Sequence, residues 1–275
     1  MPELPEVQTI VSALRDGGRG APSISGKQIV STKIAWQKTV AHPDLITFQE
    51  KITGEEIREI HRRGKFIWIK LRSAHLFIHL RMSGDLRVEP STSPLQSHDR
   101  MWFEFSDGLR LVFNDARKFG RVWLVDDPNQ IIGNLGPEPL DETLSPEQFH
   151  ERLLTYRRQI KPLLLDQRFL AGVGNIYSDE ALFLAQIHPR RLSHTLNQEE
   201  STRLLSAIRQ VLEEGIQKNG ASIDWVYRGG EFQNSFRVYQ RTGEPCLNCG
   251  APIERITVGQ RGTHFCPKCQ IFDCD

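Results

Sequence analysis

Four of the five cysteines fall in one short stretch, as "CLNC" at 246–249 and "CPKC" at 266–269, with sixteen residues between the pairs. Each CxxC turn presents two thiolates to one ion, and the doubled spacing is that of a tetrahedral four-cysteine zinc site. Cys246, Cys249, Cys266 and Cys269 are therefore the candidate metal ligands. Four protein ligands leave no open position, so one structural zinc ion is expected. The intervening "GAPIERITVGQRGTHF" alternates polar and apolar residues and contains glycine, which predicts a two-stranded hairpin. A disulfide pair or a redox dithiol would use the same residues, but in a cytosolic chain this spacing favours zinc. Cys274 is left over and takes no role.

The rest of the chain fits a reducing compartment. Its 275 residues suffice for two ordinary domains, each with its own core. No run approaches eighteen apolar residues, and the N-terminus lacks the basic-then-apolar pattern of a secretory signal, so a cytoplasmic location is expected. Net charge is only +1, which by itself argues against a nucleic-acid binder. The positive charge is clustered, however, in "HRRGK" (61–65), "ARKFGR" (116–121), "YRRQIK" (156–161) and "HPRR" (188–191), while acids concentrate elsewhere. That pattern permits a basic face on a neutral protein.

Hydrophobic periodicity divides the chain. "MPELPEV" opens a helix of about three turns, with Pro5 in its first turn, Glu3 and Glu6 at the positive end of its dipole, and Val7, Ile10, Val11 and Leu14 on one face. Residues 27–125 alternate over several short stretches with turns such as Ser106-Asp107-Gly108, which predicts a β-sandwich or barrel. "DDPNQIIGNLGPEPLDETLSPEQ" reads as a link. Beyond it Ser145-Pro146-Glu147-Gln148 has the form of a capping box. A long helix runs from about Asn197, buries Leu204, Leu205, Ile208, Val211 and Ile216, and stops at Asn219-Gly220.

Between these helices, "LLLDQRFLAGVGNIYSDEALFLAQIHP" (163–189) predicts a helix, a glycine-punctuated turn and a second helix opening at Asn175. Glycines let backbone approach a ligand closely, and a new helix N-terminus offers free N–H groups to an anion. Asn175 is positioned to cap that helix or bond a phosphate, and Lys161 adds a cation. By residue type alone Met82 and Phe119 read as ordinary core.

The "MPELPEV" start, "RRGK", "RMSG", "NDARKFG", "LGPEPL", "AGVGNIYSDEALF" and "RGTHFCPKCQ" occur in one order from residue 2 to residue 270. Together they resemble the formamidopyrimidine-DNA glycosylase family, bacterial base-excision repair enzymes that share a fold with endonuclease VIII. "PEL" rather than "PEG" favours the formamidopyrimidine branch. The resemblance implies an α+β, two-lobed fold. An N-terminal helix and β-sandwich would span 2–127, a linker 128–144, a helix–two-turn–helix DNA-binding domain 145–236 and the zinc ribbon 237–275.

It also implies a mechanism that accounts for Pro2, which a helix start does not. In this family the initiator methionine is removed and the proline amine attacks sugar C1′, expelling the base and leaving an iminium. An α-amine with a pKa near ~8 is substantially neutral at physiological pH. Glu3 matches the general acid that protonates the opening sugar, Lys65 the lysine of β-elimination, and Arg261 the ribbon arginine that grips phosphate and serves δ-elimination. Met82, Arg117 and Phe119 match the side chains that fill the gap left by an extruded nucleotide. His98, Arg157, Lys161 and Asn175 match phosphate contacts, a role open to Arg117 as well. The partner would be double-stranded DNA carrying oxidised bases or abasic sites. No catalytic metal, organic cofactor or membrane is implied, and the chain would act as a monomer.

Three departures from the family pattern stand out. Gln8 replaces a usual Glu and reads as a neutral surface exchange. "RDGGRGAPSISGKQ" (15–28) is longer than the usual connection. "GASIDWVYRGGEFQNSF" (220–236), which in the family folds over the flipped purine, is several residues shorter, so less selective binding of 8-oxoguanine, with action on formamidopyrimidines or oxidised pyrimidines instead, is expected. The alternatives are a same-fold glycosylase preferring oxidised pyrimidines and a catalytically silent DNA-binding protein. A generic zinc-ribbon interaction module would explain only the last thirty residues.

Overall fold

The computed structural model describes residues 1–222 and 229–272, so Cys274 lies outside the described residues. The chain divides into two compact units. The first holds Met1–Asn134 together with Ala221–Gly230, and the second holds Leu135–Gly220 and Glu231–Asp275.

In the first unit, helix α1 (Leu4–Asp16) buries Leu4, Val7, Ile10, Val11 and Leu14 along one face. Glu3 occupies the N-cap, and the Glu6 carboxylate accepts the Glu3 N–H at 2.7 Å, a capping box built from two acids. Two sheets follow. One runs β1 (Ile29–Ile34), β7 (Asp99–Phe105), β8 (Leu109–Asp115), β6 (Gly84–Pro90). The other runs β2 (Val40–His42), β9 (Arg121–Val125), β5 (His75–His79), β4 (Phe66–Leu71), β3 (Ile57–Arg63). Their inner residues form one core with α1, in which Ile67, Ile69, Leu76 and Ile78 of one sheet meet Phe103, Phe105, Leu111 and Phe113 of the other. That is a sandwich, as alternating strands require when each buries one face. The turn at Ser106-Asp107-Gly108 joins β7 to β8, with Gly108 at φ +80°.

Two helices within the segments read as strand or link were not legible in the pattern. Helix α2 (Leu45–Ile52) starts at Asp44, whose carboxylate accepts the Ile46 and Thr47 N–H groups, and it seats Phe48 and Ile52 in the core. It is too short to show a helical period. Helix α3 (Asn129–Ile132) is a single turn inside the linking segment.

The second unit is helical, with α4 (Pro146–Leu154), α5 (Ile160–Leu165), α6 (Asn175–Leu184) and α7 (Gln198–Gln217). Helix α4 carries the Ser145–Gln148 capping box and α7 an equivalent one between Asn197 and Glu200. Helix α7 ends as anticipated, with Asn219 and Gly220 at positive φ and the Gly220 N–H bonded back to Gly215 O at 2.7 Å. It packs against α4 and α6. Ile216 is only half-buried, whereas Ala207 and Leu212 join the buried face. Strands β10 (Glu254–Val258) and β11 (Arg261–Phe265) form the hairpin expected between the cysteine pairs. Among the described residues no helix is long and apolar enough to cross a membrane.

Candidate active site and metal centre

Pro2 and Glu3 are both buried at the start of α1. Glu6 fixes this end of the helix. One of its carboxylate oxygens holds the Glu3 N–H and the other accepts the Ala221 N–H at 2.8 Å, where the chain re-enters the first unit. Pro2 is linked to Met1 through its nitrogen here, so it acquires an amine only on loss of Met1.

Lys65 sits in the β3–β4 turn beside Gly64, whose φ of +56° suits glycine, and is only 6 % exposed. Arg62 ties this turn to α1. Its Nε donates to Gln8 Oε1 at 3.0 Å and its Nη1 to the Gly64 carbonyl at 3.1 Å. Gln8 is half-buried, and its amide oxygen supplies the acceptor that keeps Arg62 over the turn. Across the β4–β5 ladder from Phe66 lies His79, whose ring meets the Phe66 ring edge-on at 4.8 Å. Burial, reinforced by the nearby charges of Arg81 and Lys65, pushes His79 down to about 3, so its imidazole is neutral. Its Nδ1 accepts the Arg81 N–H at 3.0 Å.

Met82 and Phe119 are not core residues. They are 38 % and 47 % exposed, each on a loop beside a strand end. Arg117 is exposed too, its guanidinium carbon 5.3 Å from the centre of the Phe119 ring. The expectation from residue type fails because both loops carry a residue in the left-handed region, Arg81 at φ +55° and Lys118 at +61°. These bends interrupt the alternation that would have turned the side chains inward. His98 is exposed on the loop before β7, its Nδ1 3.3 Å from Arg100 Nη2.

In the second unit the predicted residues separate into surface and interior. Arg157 and Arg261 are exposed, the latter at the tip of the β10–β11 hairpin. Lys161 is instead fully buried, so the phosphate contact expected of it is not offered by an exposed ammonium. Its ammonium donates to the Asn175 carbonyl at 3.1 Å and pairs with the Asp179 carboxylate. Asp179 also accepts the His264 N–H at 3.0 Å, and its carboxylate lies 3.2 Å from His264 Nδ1. The α6 N-cap is Gly174 and not Asn175. Asn175 donates through Nδ2 to the Gly262 carbonyl at 3.1 Å, which fastens the hairpin tip carrying Arg261 to the start of α6, while its buried Oδ1 has no protein partner.

Sequence reasoning missed the acids that organise these parts. Helix α6 is buried from Ile176 to Phe183, yet contains Asp179 and Glu180. Glu180 accepts the N–H groups of Arg237, Val238 and Tyr239 at 2.9–3.1 Å. Carboxylates in an otherwise apolar helix signal buried partners, and that signal was present in "IYSDEALFL".

The four cysteines converge. Their sulfurs all lie within 4.8 Å of one another, with Cys246–Cys269 at 3.8 Å and Cys249–Cys266 at 3.5 Å. A tetrahedron with metal–sulfur bonds of about 2.3 Å has edges of about 3.8 Å, so the set fits zinc. The Asn248 and Cys269 N–H groups point at Cys246 and Cys266 sulfur, each at 3.4 Å. Burial pushes the Cys266 and Cys269 thiols up, and the Ala251 N–H draws Cys249 down to about 7. A divalent cation would hold all four as thiolates.

Three family models match the chain. Residues 1–122 match the formamidopyrimidine-DNA glycosylase N-terminal domain, 135–226 its H2TH domain, and 243–271 a zinc finger found in FPG and IleRS. The formamidopyrimidine-DNA glycosylase of Protochlamydia amoebophila is 42% identical over 279 residues, spanning 98% of this chain and 99% of the relative. That of Ligilactobacillus salivarius is 42% identical over 280 residues, with the same coverage. Among solved structures, MutM in complex with DNA containing carbocyclic 8-oxo-G superposes with a TM-score of 0.90 at 37% identity, over 98% of this chain and 100% of that one. The Lactococcus lactis FPG (MutM) complex with FAPY-dG-containing DNA gives 0.90 at 36% identity, with the same coverage.

Proposed function

This chain belongs to the formamidopyrimidine-DNA glycosylase family, DNA repair glycosylases with AP lyase activity, and we propose that it excises oxidised purines (8-oxoguanine and formamidopyrimidines) and then cuts the strand by β,δ-elimination. The observation that carries this reading is the start of α1. A proline and a glutamate are buried there, side by side, at a helix end whose N–H groups are held by a second buried acid.

Once Met1 is removed, the Pro2 nitrogen is a secondary amine, and the positive end of the α1 dipole favours its neutral, nucleophilic form. Its lone pair forms a bond to C1′ of the damaged nucleotide. The C1′–N9 bond breaks with its electron pair moving to the base, which leaves after taking up a proton. The proton left on the Pro2 nitrogen passes to the Glu3 carboxylate, which gives it to O4′ as the sugar ring opens, leaving an iminium between Pro2 and C1′. Loss of a C2′ proton then expels the 3′ phosphate with Lys65 assisting, and δ-elimination releases the 5′ phosphate with Arg261 at that group.

On this reading His98, Arg117, Arg157 and Asn175 contact the phosphates, and Met82, Arg117 and Phe119 fill the space vacated by the flipped nucleotide. Lys161 acts one step back, holding the Asn175 carbonyl. The zinc at the four cysteines keeps the Arg261 hairpin folded, and we assign no catalytic metal. The protein would work as a monomer on duplex DNA in the bacterial cytoplasm. Residues 223–228 of the shortened 220–236 segment lie outside the described residues, so the lesion preference rests on the family alone.

Borohydride trapping tests the proposal on duplexes carrying 8-oxoguanine opposite cytosine, an oxidised pyrimidine, or an abasic site. A covalent adduct at the N-terminal residue, lost in Pro2→Gly, is the expected result with 8-oxoguanine. Trapping only with the pyrimidine or abasic duplex would overturn the purine assignment. No adduct on any duplex, with Met1 removal verified by mass, would overturn the catalytic one.

A further inference from the structure

We propose that Asp115 is the positioning residue that joins the two gap-filling loops and the His98 loop into one rigid reading head. The proposal rests on the assignment of Met82, Arg117 and Phe119 as gap-filling side chains. Asp115 ends β8, is 1 % exposed, and pairs with Gly84 of β6. One carboxylate oxygen accepts the Ser83 hydroxyl and the Arg117 N–H, the latter at 3.2 Å. The other accepts the Gly120 N–H at 2.7 Å. The Arg117 N–H also reaches Ser83 Oγ at 3.0 Å, closing a small ring of bonds between the two loops.

The backbone of Asp115 extends the same junction. Its N–H donates to the His98 carbonyl at 2.9 Å, and its own carbonyl accepts from Arg100 Nε at 2.7 Å. One residue therefore bonds Ser83 next to Met82, Gly120 next to Phe119, and the backbones of Arg117 and His98, but none of those four side chains. Packing tightens the joint. A Cβ at Gly84 or Gly120 would fall 2.7 Å or 2.2 Å from the Phe113 ring, so both loops close onto that ring. On the far side, His79 Nδ1 holds the Arg81 N–H and fixes the entry to the Met82 loop.

A gap-filling wedge acts only if its side chains arrive in register when a nucleotide leaves the stack. Holding that register beforehand avoids the entropic cost of ordering two loops on DNA. A carboxylate suits the junction because it accepts on both edges. An amide in its place turns an NH2 group either toward the Gly120 N–H, releasing that loop, or toward the Ser83–Arg117 pair, where the Arg117 N–H loses its carboxylate acceptor and the Ser83 hydroxyl must accept instead of donate.

The test compares Asp115→Asn and Ser83→Ala with Met82→Ala/Phe119→Ala on two substrates. One is a duplex with 8-oxoguanine opposite cytosine, where a base must be extruded. The other is a single-stranded oligonucleotide with an abasic site, scored by borohydride trapping, where no stack needs filling. A positioning role predicts that Asp115→Asn lowers duplex excision at least about tenfold, as small misplacements of working groups do. Ser83→Ala should lower it less, and trapping on the single strand should stay within about twofold. Equal losses on both substrates would mark a general folding role and overturn the proposal. So would normal duplex excision by Asp115→Asn while the Met82/Phe119 variant fails. Normal duplex excision by the Met82/Phe119 variant would remove the gap-filling assignment underneath, a distinct result.

Discussion

Lys161 shows how far a single position can depart from its motif. A lysine ahead of a glycine turn reads as a phosphate cation, but its ammonium lies buried against Asp179 and the Asn175 carbonyl. Removing one partner of such a pair leaves an uncompensated buried charge, at a cost of about 3–5 kcal/mol. Lys161→Met should therefore lower the urea midpoint strongly; a change in DNA affinity with unaltered stability would return Lys161 to the surface role. His79 offers a second residue-scale prediction. Its folded pKa of about 3 lies below the unfolded value near ~6.5, so the unfolded chain binds the extra proton between those limits. His188, pushed by burial to about 4, acts in the same direction. Stability present at neutral pH should be lost as pH falls from about 6.5, toward 3 for His79 and toward 4 for His188, by up to ~1.4 kcal/mol per pH unit per histidine. His79→Asn keeps an acceptor for the Arg81 N–H and should flatten that slope; an unchanged profile would count against the histidine.

At the scale of elements, what could be read in advance was whatever had a local cause. The capping box at Ser145, the helix start near Asn197, the stop at Asn219-Gly220, and the hairpin between the cysteine pairs each follow from residues within one turn of the feature. Helix α2 escaped because eight residues do not establish a period, although Asp44 was a visible cap. The outward aim of Met82 and Phe119 escaped because it depends on left-handed residues and on a carboxylate from another strand. Among the candidate site residues, Pro2, Glu3 and Lys65 were found through motifs, whereas Glu6, Asp115 and Asp179 show their importance only once their partners are in place. The loop glycines are part of the same element. Gly120→Ala must displace the Phe113 ring, and overpacking of this kind costs about 1–3 kcal/mol. Chemical denaturation should show that loss, and a wild-type midpoint would mean the ring moves freely.

For the whole molecule, the chain divides into two compact units, and the four-cysteine cluster lies in the second. Zinc affinity is linked to the folding of the residues that bind it. Chelation should therefore release one equivalent of zinc and lower an unfolding transition belonging to the second unit, while leaving the sandwich's transition in place. A single transition that shifts as one would show the two units to be thermodynamically inseparable.

The return of residues 221–230 to the first unit has a consequence for how the protein is made. The sandwich strands leave the ribosome early, but the Ala221 N–H that caps Glu6 follows the whole of α4 to α7. At translation speeds of about 5–20 residues per second, the nascent first unit waits on the order of ten seconds for its last strand of chain. During that interval Glu6 lacks the Ala221 donor, and only its bond to the Glu3 N–H is in place at the start of α1. On the proposed reading, that interval is when Met1 can be removed, before the Ala221–Glu6 bond forms.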